Sequence, residues 1–153
     1  MKRMKKIVLL AVLISTIAFG NDIQIPENVS SAFTKEFPGV ANVNWKMEFD
    51  KYQAEFTQKN KTMTALFNIR GECIETATYI HQNELPDKTL EEIDWYYKNA
   101  QIISSRKAKN IQSNCYYRVI VETEEAFYFL KVDEEGDIID TSVRYLSENA
   151  GRK

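Results

Sequence analysis

The chain has 153 residues, a net charge of −2, 27% charged and 44% hydrophobic residues, two cysteines and a single histidine. Without a basic run beyond its first six residues, it makes a poor partner for nucleic acid or anionic lipid. One histidine excludes a two-histidine metal site and leaves no obvious general base paired to a nucleophile.

Residues 1–20 read as a signal peptide. Lys2, Arg3, Lys5 and Lys6 precede an apolar run, Ile7 to Phe19, that is short for a bilayer span. Ala18-Phe19-Gly20 then supplies small residues for cleavage before Asn21. The mature chain, 21–153, is expected in the periplasm or outside the cell, without membrane insertion. Losing four basic residues takes its net charge from −2 to −6. No Gly/Ser or Pro-rich linker divides it, so one domain is expected.

Within that domain the chain repeats itself. Gly71-Glu72-Cys73-Ile74-Glu75-Thr76 returns as Gly136-Asp137-Ile138-Ile139-Asp140-Thr141, and Tyr52 to Phe56 aligns with Tyr117 to Val121 at the same offset. Ile25-Pro26 aligns with Leu85-Pro86 at an offset five residues shorter. The expected fold is therefore α+β, a repeated α-β4 unit over about 25–79 and 85–145, each unit a helix covering one face of an antiparallel meander.

In the first repeat, Pro26 opens a helix in which Val29, Ala32, Phe33 and Phe37 share a face, and Pro38-Gly39 stops it. Alternation over Val43–Met47, Tyr52–Phe56 and Met63–Phe67 predicts three strands, and a fourth runs from Glu72 to Tyr79. A polar joint around His81 leads to the second helix, on Leu90, Ile93 and Tyr97, which lacks a Pro-Gly stop and carries Glu92 where the first has Ala32. Strands follow at Ile102–Ala108, Cys115–Glu122, Ala126–Val132 and Asp137–Tyr145, with Asn110–Asn114 as the loop absorbing the five extra residues. Asp133-Glu134-Glu135-Gly136-Asp137 lacks the alternating ligands and closing Glu of a calcium loop, and reads as a hairpin turn.

Cys73 and Cys115 fall in an oxidising compartment, where a bond would add roughly 3–4 kcal/mol. They stand at non-equivalent places in the two repeats, which opposes a bond. Both states stay open. Glu75 and Asp140 are equivalent by repeat and read as solvated strand acids.

A half-covered sheet should be polar on its open side. The first repeat obeys, with Gln53, Glu55, Thr57, Thr62 and Thr64 outward. In the second, if Val119, Val121, Leu130, Val132, Ile139 and Val143 face the helix, the other register carries Tyr116, Ile120, Phe127, Phe129 and Ile138, with Arg118 and Lys131 among them. Leu66 and Cys73 fall in that register of the first repeat. Aromatics with Arg at their edge mark interfaces. The candidate partner-binding set is Phe127, Phe129, Tyr116 and Ile120, flanked by Arg118 and Trp45. Packing under a curled sheet, or self-association, is the competing explanation.

The run Ile25-Pro26, Phe33, Phe37-Pro38-Gly39, Val43-Asn44-Trp45, Tyr52 to Phe56, Phe67, Gly71 and Ile74-Glu75-Thr76 resembles the exported PepSY-like, beta-lactamase-inhibitor-protein-like (BLIP-like) domains of Bacteroidetes-type bacteria. The resemblance spans about 22–146. It implies a BLIP-like tandem α-β4 repeat whose strands form one large antiparallel sheet with the helices on one face, an open face of the kind that grips a secreted enzyme in the name-giving inhibitor, and a modulatory role. Neither catalysis nor a cofactor is expected from the residues themselves, which include no Gly-rich phosphate loop and no nucleophile paired to a base. No contact residue of the inhibitor has a counterpart here. The expected function is thus an exported, non-enzymatic module for a protein partner, which the sequence does not name. A carrier of a small apolar ligand between sheet and helices and a structural homodimer are the alternatives.

Overall fold

The computed structural model describes residues 23–48 and 50–146. The segment expected to be a signal peptide, 1–20, and the tail from 147 lie outside the described residues. The element order is α1 (Glu27–Glu36), β1 (Val43–Glu48), β2 (Lys51–Gln58), β3 (Lys61–Phe67), β4 (Cys73–Tyr79), a 3-10 turn (Gln82–Glu84), α2 (Asp87–Tyr96), β5 (Gln101–Asn110), β6 (Cys115–Glu122), β7 (Ala126–Val132) and β8 (Ile138–Tyr145). The eight strands form one antiparallel sheet in sequential order, β4 pairing β5 where the two halves meet.

Each helix begins behind a proline. Pro26 and Pro86 lie one residue ahead of the first helical residue, extended at ψ 145° and 140°, and their carbonyls accept the first N–H groups of the turn. Glu27 and Asp87 add a negative charge where the helix dipole favours one. Both helices stop alike. Phe37 N–H donates to the Phe33 carbonyl (2.8 Å), and Tyr97 N–H to that of Ile93 (2.9 Å). Gly39 then takes φ +82°, and Asn99 takes φ +57°. The second stop signal absent from the sequence as Pro-Gly is therefore Asn99, since asparagine tolerates the left-handed region better than most residues.

Both helices pack on the same side of the sheet. Val29, Phe33 and Phe37 bury against Tyr52, Ala54, Phe56, Ala65 and Phe67, with the Phe33 ring 5.0 Å from Phe56 and 5.3 Å from Trp45. Under α2 the core is aliphatic: Ile93 and Leu85 lie against Val119, Val121, Leu130 and Val132. Glu92 has a task that Ala32 lacks, its Oε2 accepting the Ile138 N–H at 3.2 Å.

Three hairpins share one turn. Asn68, Asn110 and Asp133 each accept, through Oδ1, the backbone N–H four residues on, and Gly71, Ser113 and Gly136 supply the positive φ before it. The acid-rich 133–137 segment is thus a hairpin turn. The five extra residues of the second half lengthen β5 relative to β1, and the turn after it, while β6 keeps the length of β2, and Ile111 N–H reaches the Ile74 carbonyl (3.1 Å).

Two of these turns abut the helix starts. A Cβ on Gly71 would stand 2.7 Å from the Asn28 carbonyl oxygen, and one on Gly136 would stand 2.9 Å from Pro86 Cβ. Asn28 donates to the Ile69 carbonyl (2.8 Å), and buried Thr89 donates to that of Gly136 (3.1 Å).

Both cysteines are free. Cys73 is on β4 and Cys115 on β6, with β5 between them. Two strand spacings make roughly 10 Å, beyond the reach of a disulfide.

The glycines should separate by experiment. Gly39→Ala meets open space and pays only for its φ, about 1 kcal/mol. Gly71→Ala adds a backbone clash and should cost about 2 kcal/mol or more. Urea midpoints measure both, and equal losses would show that the helix start moves aside freely.

Candidate docking face

Strand register decides which side chains reach the uncovered face. Tyr116, Arg118 and Ile120 alternate along β6, while Tyr117, Val119 and Val121 turn to the helices. Across the ladder, Ile120 pairs Phe129, Glu122 pairs Phe127 and Arg118 pairs Lys131. Five of the six candidates therefore share one face: Tyr116, Arg118, Ile120, Phe127 and Phe129.

Trp45 does not join them. It pairs Ala54 on the helix side and packs against Phe33 and Phe67, because Phe56 and Tyr52 of the next strand already commit that register to the core.

Register also moves Ile138 and Cys73 to the helix side and turns Ile139 out to solvent, 53% exposed. The reason is a bulge at Leu66/Phe67 and another at Lys131/Val132. One extra residue exchanges the faces of everything after it. Leu66, before its bulge, stays on the open face opposite Gln53.

The aromatics are less bare than the sequence suggests. Ile120, Phe127 and Phe129 are half-buried, and Tyr116 is only 5% exposed. Tyr116 forms a small buried cluster with Ala77 and Ala108 on this side. Cations cover the rings: Lys131 Nζ lies 4.4 Å from the Tyr116 centroid, the Arg118 guanidinium 5.5 Å from the same ring and that of Arg144 5.5 Å from Phe129.

At the middle of the face is Glu75, the residue that sequence reasoning passed over as a solvated strand acid. Its side chain is 11% exposed. The Tyr116 hydroxyl donates to Oε2, Arg118 Nε donates at 2.8 Å to Oε1, and Arg118 Nη2 donates at 2.5 Å to Oε2. These partners lie two strands away, and the methyl of Ala108 on the intervening β5 leaves room for them to meet. Burial, then the bond to Glu75, pushes the Tyr116 hydroxyl up to about 12. Burial works against the charge of Arg118, and the Glu75 ion pair outweighs it, so its pKa rises. Nothing local marked Glu75, because its equivalent Asp140 lies exposed on edge strand β8. The distinguishing signal was the pair of alanines, Ala77 and Ala108, directly opposite each other beside Tyr116.

A second polar group adjoins it toward β1. The Tyr79 hydroxyl donates to Glu55 (3.3 Å), which also lies 3.9 Å from Lys46 Nζ. Among the described residues no group of three or more His, Cys, Asp or Glu side chains could hold a metal ion. Nor is any helix there long and apolar enough to cross a membrane.

With this geometry in hand, the likeness to solved structures is informative. The chain is similar to a DUF2874 family protein from Bacteroides uniformis, at 17% identity over 82% of this chain and 93% of that one, with TM-score 0.65. It is similar to a protein from Bacteroides eggerthii, provisionally described as periplasmic, at 14% identity, 78% and 89% coverage and TM-score 0.65. It is also similar to a BLIP-like protein from Bacteroides fragilis, at 18% identity, 83% and 92% coverage and TM-score 0.59. At these identities the likeness is one of fold: an α+β, BLIP-like architecture found in Bacteroides. No protein-family profile matches the sequence, and no curated protein matches it significantly.

Two outcomes test the Glu75 network. Glu75→Ala strands a half-buried guanidinium and a buried hydroxyl and should cost about 2 kcal/mol, less than a fully buried pair because Arg118 keeps some solvent. Asp140→Ala, exposed, should stay within about 0.5 kcal/mol of wild type by denaturant titration, and equal losses would remove Glu75 from its central place. The folded chain also holds the Tyr116 proton above the usual 10. That contribution is complete below pH 10 and is lost as pH rises toward 12. Urea midpoints should thus fall more steeply across this window for wild type than for Tyr116→Phe.

Proposed function

We propose that the mature chain is an exported, non-catalytic binding module of the PepSY-like, BLIP-like type that engages a protein partner through the open face of β4–β8. The observation that carries this reading is a sheet side over which none of the described residues forms a helix, where Ile120, Phe127 and Phe129 border the held Glu75–Tyr116–Arg118 network. Interfaces are enriched in aromatics and Arg, and groups already fixed in place lose little entropy on docking. The two halves, each a helix followed by four strands, are read as a tandem repeat within one domain over 21–153. A periplasmic or secreted location accords with the basic and apolar N-terminus and with the description of the B. eggerthii protein. The class of partner that the family resemblance implies is a secreted or envelope hydrolase.

A homodimer is favoured by one specific feature. Edge strand β8 presents Val143 and Tyr145, the latter 70% exposed, and among the described residues it pairs along one side only. A carrier of a small apolar ligand is disfavoured, because the space between α1 and the sheet is filled by Phe33, Phe56, Phe67 and Trp45.

Mature chain beginning at Asn21, immobilised and exposed to an extract of its own cell envelope, should retain a stoichiometric protein. Phe129→Asp should release it while melting within a few degrees of wild type. An empty lane with both forms folded would sink the docking reading, and a mass that rises with concentration would then assign the chain to a homodimer.

A further inference from the structure

Arg106 stands on the open face of β5, in register with Tyr79 of β4 on one side and Arg118 of β6 on the other. Its guanidinium carbon lies 5.5 Å from the Tyr79 ring centroid. Its Nε is shut off from solvent and has no hydrogen-bond partner. Among the described residues no carboxylate comes within ion-pair distance of it. The nearby acids are committed elsewhere: Glu75 to Tyr116 and Arg118, Glu55 to Tyr79 and Lys46.

This arrangement costs stability twice. Like charges directly opposite on a sheet repel, and a buried N–H without a partner forfeits its hydration. A carboxylate arriving from solvent would offset the repulsion, accepting from the two Nη groups end-on in the parallel two-point contact that the planar fork suits, while Nε stays turned inward. Beside the Glu75 network a single guanidinium, that of Arg106, is unpaired among the described residues, because Arg118 is already paired, and one fork matches one carboxylate better than a phosphate, which gathers several donors.

We infer that Arg106 is the receptor for an Asp or Glu side chain presented by the partner, seated between the Tyr79 ring and the Glu75–Arg118 pair. This rests on the reading of the face as a protein-docking surface, and names the chemistry of what docks at its centre.

Titrating 15N-labelled mature chain with N-acetyl-glutamate amide tests it directly, read at the Arg106 Nε–H resonance, which Arg106→Gln identifies by its loss. A saturable shift is expected, absent with the neutral N-acetyl-glutamine amide. Arg106→Gln should also melt at the same temperature as wild type or higher, since it removes a like-charge pair. An equal response to the two amides, no response, or a clear fall in melting temperature would overturn the inference, the last by making Arg106 a structural residue.

The envelope pull-down separates the two readings. Arg106→Gln should lower recovery of the partner about tenfold or more, the worth of a charge-assisted contact. Undiminished recovery with Arg106→Gln, alongside loss with Phe129→Asp, would overturn the carboxylate site and leave docking intact. A saturable carboxylate response with no protein retained by wild type would uphold the site and remove the docking reading.

Discussion

The contact on which the architecture depends is the one between the start of each helix and the hairpin turn three strands later. Gly71 lies against the Asn28 backbone and Gly136 against Pro86 and Thr89, at separations that leave no room for a Cβ. Side-chain bonds from Asn28 and Thr89 to the turn carbonyls hold the same junctions, and Lys88 pairs with Asp137 beside the second. Each helix is thereby pinned at one end over the strands it must cover. Its buried face, Val29 and Phe33 in α1 or Thr89 and Ile93 in α2, then falls on the sheet without a long loop to guide it.

A consequence of those turns reaches the open face. Leaving each of them, the chain passes a bulge, at Leu66/Phe67 and at Lys131/Val132, so that Cys73 and Ile138 enter the core and Glu75 and Asp140 point away from it. Glu75 is on a central strand and Asp140 on an edge. The same position therefore becomes a shielded anchor in one half and an exposed acid in the other. Because Glu75 belongs to β4 and its partners to β6, the network also ties the two halves together across β5.

The uncovered side is a mixed surface rather than a greasy one. Its rings lie beneath Lys131, Arg118, Arg106 and Arg144, which keeps apolar area from solvent while leaving cations in view. Such a face pairs flat aromatic area with exposed positive charge, which limits non-specific apolar association. Residues 21–153 are acidic overall, with a net charge of −6, so this concentration of positive charge marks one side of the molecule.

Local chemistry determined much of the protein from the sequence alone. The order of helices and strands followed from period-2 and period-3.6 alternation, and the turns followed from Asn, Asp and Gly at fixed offsets, because those preferences act within a few residues. Five of the six candidate residues were placed on a common face for the same reason. Tertiary structure decided the rest. Trp45 went to the core because the adjacent strand sets its register, and the cysteines stayed apart because β5 intervenes. The bulges exchanged the faces of Ile138 and Ile139, since one inserted residue is invisible to a strict alternation. Glu75 and Arg106 acquired their roles only when β4, β5 and β6 came together, because whether a charge is paired or orphaned depends on neighbours distant in the chain.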